Sequence, residues 1–182
     1  MILYKQEEII ARNIDKDDTK RDILEHIYKT PGIRYKELLR LTRLKNGVLS
    51  YHLTILEKLN KIRIDRQNNR VTRYYIVDIT KEDSDIIGCF RNRVTRKIAI
   101  FILQHDSCIF NEIVDHINKA PSTVSWHLKR LRNTGIISVT SGEKHHIYRV
   151  VDGEVVGNIL YKYKESFVDK VVDNYTEMME EL

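Results

Sequence analysis

The chain has 182 residues, a formal net charge of +5 and a sequence pI of about 9.1. Cys89 and Cys108 are its only cysteines, too few for a disulfide framework and not spaced as a Cys-x-x-Cys pair, so we expect a reducing cytoplasm. No signal peptide is expected, and the longest apolar run, residues 98–103, is far shorter than the roughly 18 residues that a membrane span needs.

A short motif occurs twice in the sequence. The letters SYHL at 50–53 return as SWHL at 125–128, and the order of apolar and polar segments around the two copies is the same. Two copies at so long a period indicate tandem domains rather than a solenoid. Domains of about 60 residues bury only about 60% of the surface of the unfolded chain and are marginally stable alone, so we expect support from each other, from the terminal segments or from a second chain.

The first copy has the pattern of three helices. Apolar residues at 23–27 and at 38–39 predict two helices, separated by the turn signal Thr-Pro-Gly at 30–32. Asn46 is predicted to cap a third helix. One apolar stripe on that helix, wide enough to be buried, consists of Leu49, Leu53 and Leu56.

A β-hairpin is predicted to follow these helices. Apolar and polar residues alternate at 62–65, a polar tip lies at 67–69, and residues 74–77 form the returning strand. Thr80 and Asp83 then have the spacing of a capping box, so the connection to the second copy is expected to be an ordered helix.

The second copy repeats this plan with other residues. Apolar positions at 98–102 and 113–117 predict the first two helices, and Pro121 suits the first position of the third. Residues 137–139 and 147–150 predict the strands. The apolar stripe of the third helix consists of Val124, Leu128 and Leu131.

Residues 155–182 are predicted to form one long helix. Its apolar residues recur at intervals of three and four, at Leu160, Tyr163, Phe167, Val171, Tyr175, Met178 and Leu182. Either a partner chain or the apolar residues of 1–18 could cover this stripe. Because two small domains need support, we favour a homodimer formed through this helix.

Helix, turn, helix and hairpin, in this order, is the plan of a winged helix-turn-helix domain. Residues 30–33, 37–39, 47–53 and 72–75 resemble the first domain of archaeal tandem winged-helix transcriptional regulators, which are ArsR-like or MarR-like in the broad sense. Residues 122–128 resemble the DNA-binding recognition helix of the second domain.

Repeat and resemblance together predict a mainly α fold with small β wings, the hairpins of the two domains. The predicted parts are an N-terminal helical segment (1–18), winged helix-turn-helix domain 1 (19–79), an ordered linker (80–92), domain 2 (93–152) and a C-terminal helix (153–182). The cysteine motif with which many ArsR-like proteins sense metals is absent from the recognition helix. We therefore expect no metal and no other cofactor.

The third helix of each copy is predicted to enter the DNA major groove. At about 100° per residue, Trp126 lies nearly opposite the buried stripe, and Tyr51 has the same place in the first copy. Packing of the tryptophan against the other domain is the alternative. The predicted contacts are Asn46, Gly47, Ser50, Tyr51 and Thr54 in the first helix and Ser122, Thr123, Ser125, Trp126, Lys129 and Arg130 in the second.

The histidines and cysteines do not suggest catalysis. His52 and His127 lie at the boundary of the buried stripes, where an internal hydrogen bond and a contact to DNA both remain open. His145 and His146 are neighbours on a predicted strand and face opposite ways, which makes a poor metal pair. Cys108 has no identifiable orienting acid and is expected to be a small buried side chain.

Basic residues cluster where the backbone of bound DNA would lie. The predicted wing residues for phosphate contact are Arg66, Asn68, Arg70, Arg73, Lys144 and His145. The chain end is acidic instead, with Asp173, Glu177, Glu180 and Glu181, and would be repelled by phosphate.

The sequence thus predicts a sequence-specific, DNA-binding transcriptional regulator and not an enzyme. Its expected partners are double-stranded DNA and a second copy of the chain, without a membrane, and its expected location is the cytoplasm in association with the chromosome. The alternatives are a protein-interaction scaffold in a multi-subunit nucleic-acid machine and a non-specific, chromatin-like DNA binder. A scaffold would not show the steep salt dependence of phosphate binding. No effector is indicated by the residues.

Overall fold

The computed structural model describes residues 18–67, 71–142 and 145–167. The chain divides into two units, Met1–Ser84 and Asp85–Leu182. Each unit contains a set of three helices followed by a β-hairpin in a small antiparallel sheet, and the second unit has further helices on either side of this set, so the predicted mainly α fold with two β wings is confirmed. In the described residues, no helix is both long enough and apolar enough to cross a membrane.

The first unit has the predicted order of helices and hairpin. The elements are α1 (Asp18–Lys29), β1 (Ile33–Arg34), α2 (Tyr35–Thr42), α3 (Asn46–Lys58), β2 (Ile62–Gln67) and β3 (Val71–Ile76). Gly32 ends the turn after α1 with a φ of 75°, a value that favours glycine. The predicted Thr-Pro-Gly break is therefore confirmed.

The core of the first unit forms around one face of α3. The stripe Leu49, Leu53 and Leu56 is buried as predicted. It belongs to one hydrophobic cluster with Ile23 and Ile27 of α1 and with further residues of α2 and the sheet. The burial of this face leaves the opposite face of α3 free to carry polar residues and function.

A third, very short strand joins each hairpin to its unit, and the sequence pattern did not predict it. In the first sheet the strand order is β1-β3-β2, with Ile33 opposite Tyr74 and Ile62 opposite Ile76. Two residues are too few for an alternating pattern to be recognised. The consequence is that the wing is hydrogen-bonded to the start of α2.

The second unit repeats the arrangement. The helix α4 (Lys81–Phe90) precedes its elements, which are α5 (Arg93–Gln104), β4 (Cys108–Ile109), α6 (Phe110–Ile117), α7 (Pro121–Asn133), β5 (Ile137–Ser141) and β6 (His146–Val150). The sheet order is β4-β6-β5. The predicted stripe Val124, Leu128 and Leu131 is buried.

Most of the predicted helix starts are confirmed, and one is wrong. Pro121 lies at the start of α7, and the Thr80 side chain accepts from the Asp83 amide at the start of α4. Asn46 is not the cap of α3, because the cap position is Lys45 and Asn46 is already helical. The Asn46 side chain instead bonds to the Tyr35 hydroxyl, with 2.6 Å between the oxygens.

The predicted long C-terminal helix is interrupted. A helix, α8, does begin at Gly153, but it ends at Lys162, and a single turn, α9 (Lys164–Phe167), follows. Phe167 turns into the unit, where it is buried beside Phe90 and lies under the guanidinium groups of Arg91 and Arg96, each 5.1 Å from its ring centroid. The chain thus buries the Phe167 side chain in this unit and does not continue as one helix.

Several predictions lie outside the described residues. These are the N-terminal helical segment up to residue 17, the wing residues Asn68, Arg70 and Lys144, and the C-terminal stripe beyond Phe167. The Asp18–Lys29 helix, α1, begins where the first of these ends.

Candidate nucleic-acid interface

Both third helices present an aromatic side chain to solvent at the same position. Tyr51 is 64% exposed and Trp126 is 57% exposed, whereas the apolar stripes on the opposite faces of α3 and α7 are buried. The predicted outward direction of these two side chains is therefore what the structure has. In each unit the aromatic ring lies edge-on to the ring of the neighbouring histidine. The ring centroids are 5.4 Å apart for Tyr51 and His52 and 4.8 Å apart for Trp126 and His127.

The other predicted residues of α3 form a small, uncharged surface around Tyr51. Asn46, Gly47, Ser50 and Thr54 are all exposed. Within the helix the Thr54 hydroxyl donates to the Ser50 carbonyl at 2.9 Å, so its hydrogen is already engaged.

The predicted residues of α7 are exposed with one exception. Ser122, Thr123, Ser125 and Lys129 all face solvent. Arg130 is half-buried, donates to the Gly88 carbonyl at 3.1 Å and lies 5.9 Å from the centroid of the Trp126 ring. Arg130 thus holds the tryptophan and α4 together in this unit, and only part of its guanidinium faces outward.

An open groove of about 320 Å³ separates α7 from the wing of the second unit. Its lining residues are Ser125, Leu128, Lys129, Arg132, Val139, His146 and Tyr148. No acidic side chain is among these lining residues. Arg132 and His146 were not among the predicted contacts. The sequence signal that could have identified Arg132 is its position one helical turn after Lys129, which places both basic residues on the same side of α7.

Of the two wing residues predicted for this unit, the structure describes only His145, which is exposed at the hairpin tip. It lines a second open cleft, of about 640 Å³, together with Ser141 and the first residues of α6. His146 begins strand β6, and its Nδ1 is 3.5 Å from the Ser141 hydroxyl. Among the residues that the structure describes, no group of three metal-ligating side chains is found.

In the first wing, one predicted phosphate contact is wrong. Arg73 is only 4% exposed, and its Nη1 donates to the Gly32 carbonyl at 2.7 Å. It fastens β3 to the turn before β1 and cannot reach a DNA backbone. Arg66 is exposed as predicted, but both of its terminal nitrogens lie 3.3 Å from the Glu57 carboxylate of α3.

The two units differ in charge at equivalent positions of their third helices. Where α3 carries Thr54, Ile55 and Glu57, α7 carries Lys129, Arg130 and Arg132. One acidic side chain in the first helix thus corresponds to three basic side chains in the second. The second helix has the stronger attraction for a polyanion.

His127 is part of the interior rather than a boundary residue. It is 5% exposed, and its Nδ1 lies 2.7 Å from the Thr95 hydroxyl of α5. Burial, with the nearby Arg130 charge as a smaller cause, lowers the pKa of His127 below its usual 6.5. Of the two roles left open by the sequence, the internal hydrogen bond is the one observed. His52 is half-buried.

The buried imidazole makes the second unit sensitive to acid. Because the pKa of His127 is lower in the folded chain than in the unfolded one, its contribution is fully present above about pH 6.5 and is lost as pH falls toward the folded value. We expect the free energy of unfolding to fall between pH 7.5 and pH 5.5, and His127→Asn to reduce that fall. Urea titrations at the two pH values measure it; an unchanged pH difference in the variant would contradict the assignment.

Cys108 has the expected structural role. It is buried, and burial together with the nearby Glu112 raises the pKa of its thiol, which keeps it protonated and unreactive.

Two family models match the chain, one in each unit. Residues 16–63 match the model described as a winged helix-turn-helix DNA-binding domain. Residues 93–139 match the model of the bacterial regulatory protein arsR family. A search of curated proteins finds no significant match.

Solved structures of similar fold include regulators from bacteria and an archaeon. Reduced HlyU from Vibrio cholerae is 19% identical, with a TM-score of 0.40, over 44% of this chain and 86% of that one. The transcriptional repressor PagR of Bacillus anthracis is 20% identical, with a TM-score of 0.40, over 43% and 90%. A transcriptional regulator homologue from Pyrococcus horikoshii is 21% identical, with a TM-score of 0.38, over 54% and 93%.

The family matches cover the three helices of each winged-helix domain and end within the first strand of its hairpin. Residues 16–63 contain α1 to α3, and residues 93–139 contain α5 to α7. Helix-turn-helix domains place a recognition helix in the major groove of DNA. The chain therefore contains two winged helix-turn-helix domains in tandem, a domain type of DNA-binding regulators, and the second domain matches the arsR family model.

Proposed function

We propose that the chain is a sequence-specific transcriptional regulator with two reading heads, a reading head being a third helix together with its wing. In this proposal α3 and α7 each enter a major groove, and the wings contact the phosphates on either side. The winged-helix domains keep the limits 19–79 and 93–152, and the helix α4 lies in the segment that connects them.

The observation that carries the proposal is the groove between α7 and its wing. Lys129 and Arg132 line it from the helix, and His146 lines it from the strand. Of these two cations, Arg132 can contact a phosphate that borders the major groove, while Lys129 can reach base edges together with Ser125 and Trp126. A scaffold protein has no need of this charge pattern.

We further propose that the regulator is a homodimer whose two chains associate through the apolar residues of their C-terminal segments. This dimer is proposed to act in the cytoplasm, bound to the chromosome. A symmetric dimer reads two half-sites about one helical turn, or a multiple of it, apart. Its operators are then pseudo-palindromic. Footprinting that shows one short asymmetric site per complex would contradict the dimer.

Fluorescence anisotropy across a salt series tests the function directly. The purified chain is titrated with the DNA upstream of its own gene and with a scrambled duplex of equal length. Affinity that decreases with salt and prefers the native sequence supports a specific regulator. Equal affinity for both duplexes indicates a non-specific binder, and no binding at low salt indicates a protein-interaction module.

The outward aromatic residues should contribute to binding and not to stability. Because both rings are exposed, Tyr51→Ala and Trp126→Ala should each weaken specific DNA binding by about tenfold, the effect of one base contact of roughly 1.4 kcal/mol. Their melting temperatures should change by only a few degrees. Tyr28→Ala, which removes another exposed aromatic, from α1, is the control and should leave the affinity unchanged.

A further inference from the structure

The two reading heads present unlike chemistry to a base pair. From Asn46 to Ile55, α3 has no Asp, Glu, Lys or Arg, whereas α7 carries Lys129 and Arg130 in the corresponding stretch. Because the exposed surfaces of α3 and α7 differ in charge, we expect them to prefer different bases. The inference drawn from this difference rests on the proposed function and specifies what each head recognises.

The first head has an apolar surface at its leading end. Val48 is 40% exposed in the first turn of α3, three residues before the exposed Tyr51. Residues three apart are neighbours on a helix surface. Apart from its two chain neighbours and the nearby backbone of α3 itself, no heavy atom of the described chain lies within 4 Å of a Cβ placed at Gly47, so this end of the helix is open to a partner.

Polar groups around this surface are already engaged within the unit. The Thr54 hydroxyl donates to the Ser50 carbonyl, and the Asn46 side-chain oxygen accepts from Tyr35. In the wing, Arg66 is paired with Glu57. From Asn46 to Ile55 the first head therefore has only uncharged groups, such as the Ser50 hydroxyl and the Asn46 amide, as an alternative to the Lys or Arg side chains that most often recognise guanine.

The second head has the opposite character. At the position of Val48 it carries Thr123, and at the position of Thr54 it carries the exposed Lys129. A lysine ammonium can donate to both O6 and N7 of guanine, which are acceptors in the major groove. The only apolar group that the bases present in the major groove is the C5 methyl of thymine.

From this contrast we propose that α3 reads thymine methyl groups through Val48 and Tyr51, while α7 reads guanine through Lys129. One chain then recognises two subsites of different base composition, one rich in A·T pairs and one containing guanine. The first head supplies sequence preference with little phosphate attraction, and the second supplies both.

Selection from a random duplex library with the full-length chain provides the binding sites for the test. The expected consensus contains an A·T-rich subsite and a separate subsite with guanine. Replacing the thymines of the A·T-rich subsite by deoxyuridine removes only their methyl groups. Each methyl in contact with α3 should cost about fourfold in affinity, which corresponds to roughly 0.8 kcal/mol.

Variants assign this methyl effect to one head. In Val48→Ala the affinity for the thymine duplex falls, and the difference between thymine and deoxyuridine duplexes shrinks toward none. Thr123→Ala changes the equivalent position of the other head and should keep the full difference. Lys129→Gln should remove the preference for guanine over 7-deazaguanine, which lacks the N7 acceptor, and should leave the methyl effect intact.

Several outcomes would overturn the assignment while leaving DNA binding established. Equal affinity of the wild type for thymine and deoxyuridine duplexes is one, and an undiminished methyl effect in Val48→Ala is another. If Val48 instead docks a protein, Val48→Ala binds the selected DNA as tightly as the wild type does. Failure to recover any enriched sequence would contradict the proposed function itself.

Discussion

Replacing Lys129 and Arg132 together by glutamine should weaken DNA binding more than any other change to the exposed surface. Both side chains line the groove between α7 and the second wing, where Arg132 is proposed to contact a phosphate and Lys129 the edge of a guanine, and each brings one positive charge close to the DNA backbone. At a slope of about 0.9 per phosphate, lowering the salt from ~1 M to ~50 mM strengthens each contact by roughly tenfold. Two lost contacts therefore predict a decrease of about a hundredfold at ~50 mM salt.

The salt dependence separates this loss from a general decrease in activity. The slope of log affinity against log salt should become shallower by about 1.8 in the double variant, because two positive charges near the phosphates are lost. Lys162→Gln, which removes an exposed cation from α8, is the matched control and should keep both slope and affinity. A full wild-type slope in the double variant would show that phosphates do not occupy the groove.

The repeated core could be predicted because its signal is strong and local. Whatever the tertiary arrangement, a helix places Leu49, Leu53 and Leu56 on one side, so their spacing alone defines the buried face. The outward direction of Trp126 follows from the same geometry. The Thr-Pro-Gly break and Pro121 act through backbone restrictions that are also local. These features needed no knowledge of the partner elements.

The sequence left roles open, or predicted them wrongly, at residues whose role depends on distant partners. His127 is two residues from the exposed Ser125 in sequence, yet a threonine on α5 and the surrounding burial make it internal. The apolar period of the C-terminal segment continues past Tyr163, but Phe167 packs on Phe90 and the helix ends earlier. Periodicity gives the faces of a helix and does not reveal which distant group competes for a residue.

Arg73 shows the same limitation most clearly, and its removal should destabilise the first unit. The wing is rich in basic residues, so composition suggested a phosphate contact. In the structure its guanidinium is buried and donates to the Gly32 carbonyl. The Gly32 amide in turn donates to the Tyr74 carbonyl at 2.8 Å, so two bonds fasten this turn to β3.

Arg73→Ala should lower the free energy of unfolding of the first unit by about 2 kcal/mol, because it removes a charge-assisted bond and leaves a buried carbonyl without this donor. Amide hydrogen exchange of β2 and β3 measures the loss in this unit separately from the other. Arg66→Ala, at an exposed ion pair of the same wing, should change stability by no more than about 0.5 kcal/mol. If Arg73→Ala kept native protection and instead reduced the salt slope of DNA binding, the arginine would be a phosphate contact after all.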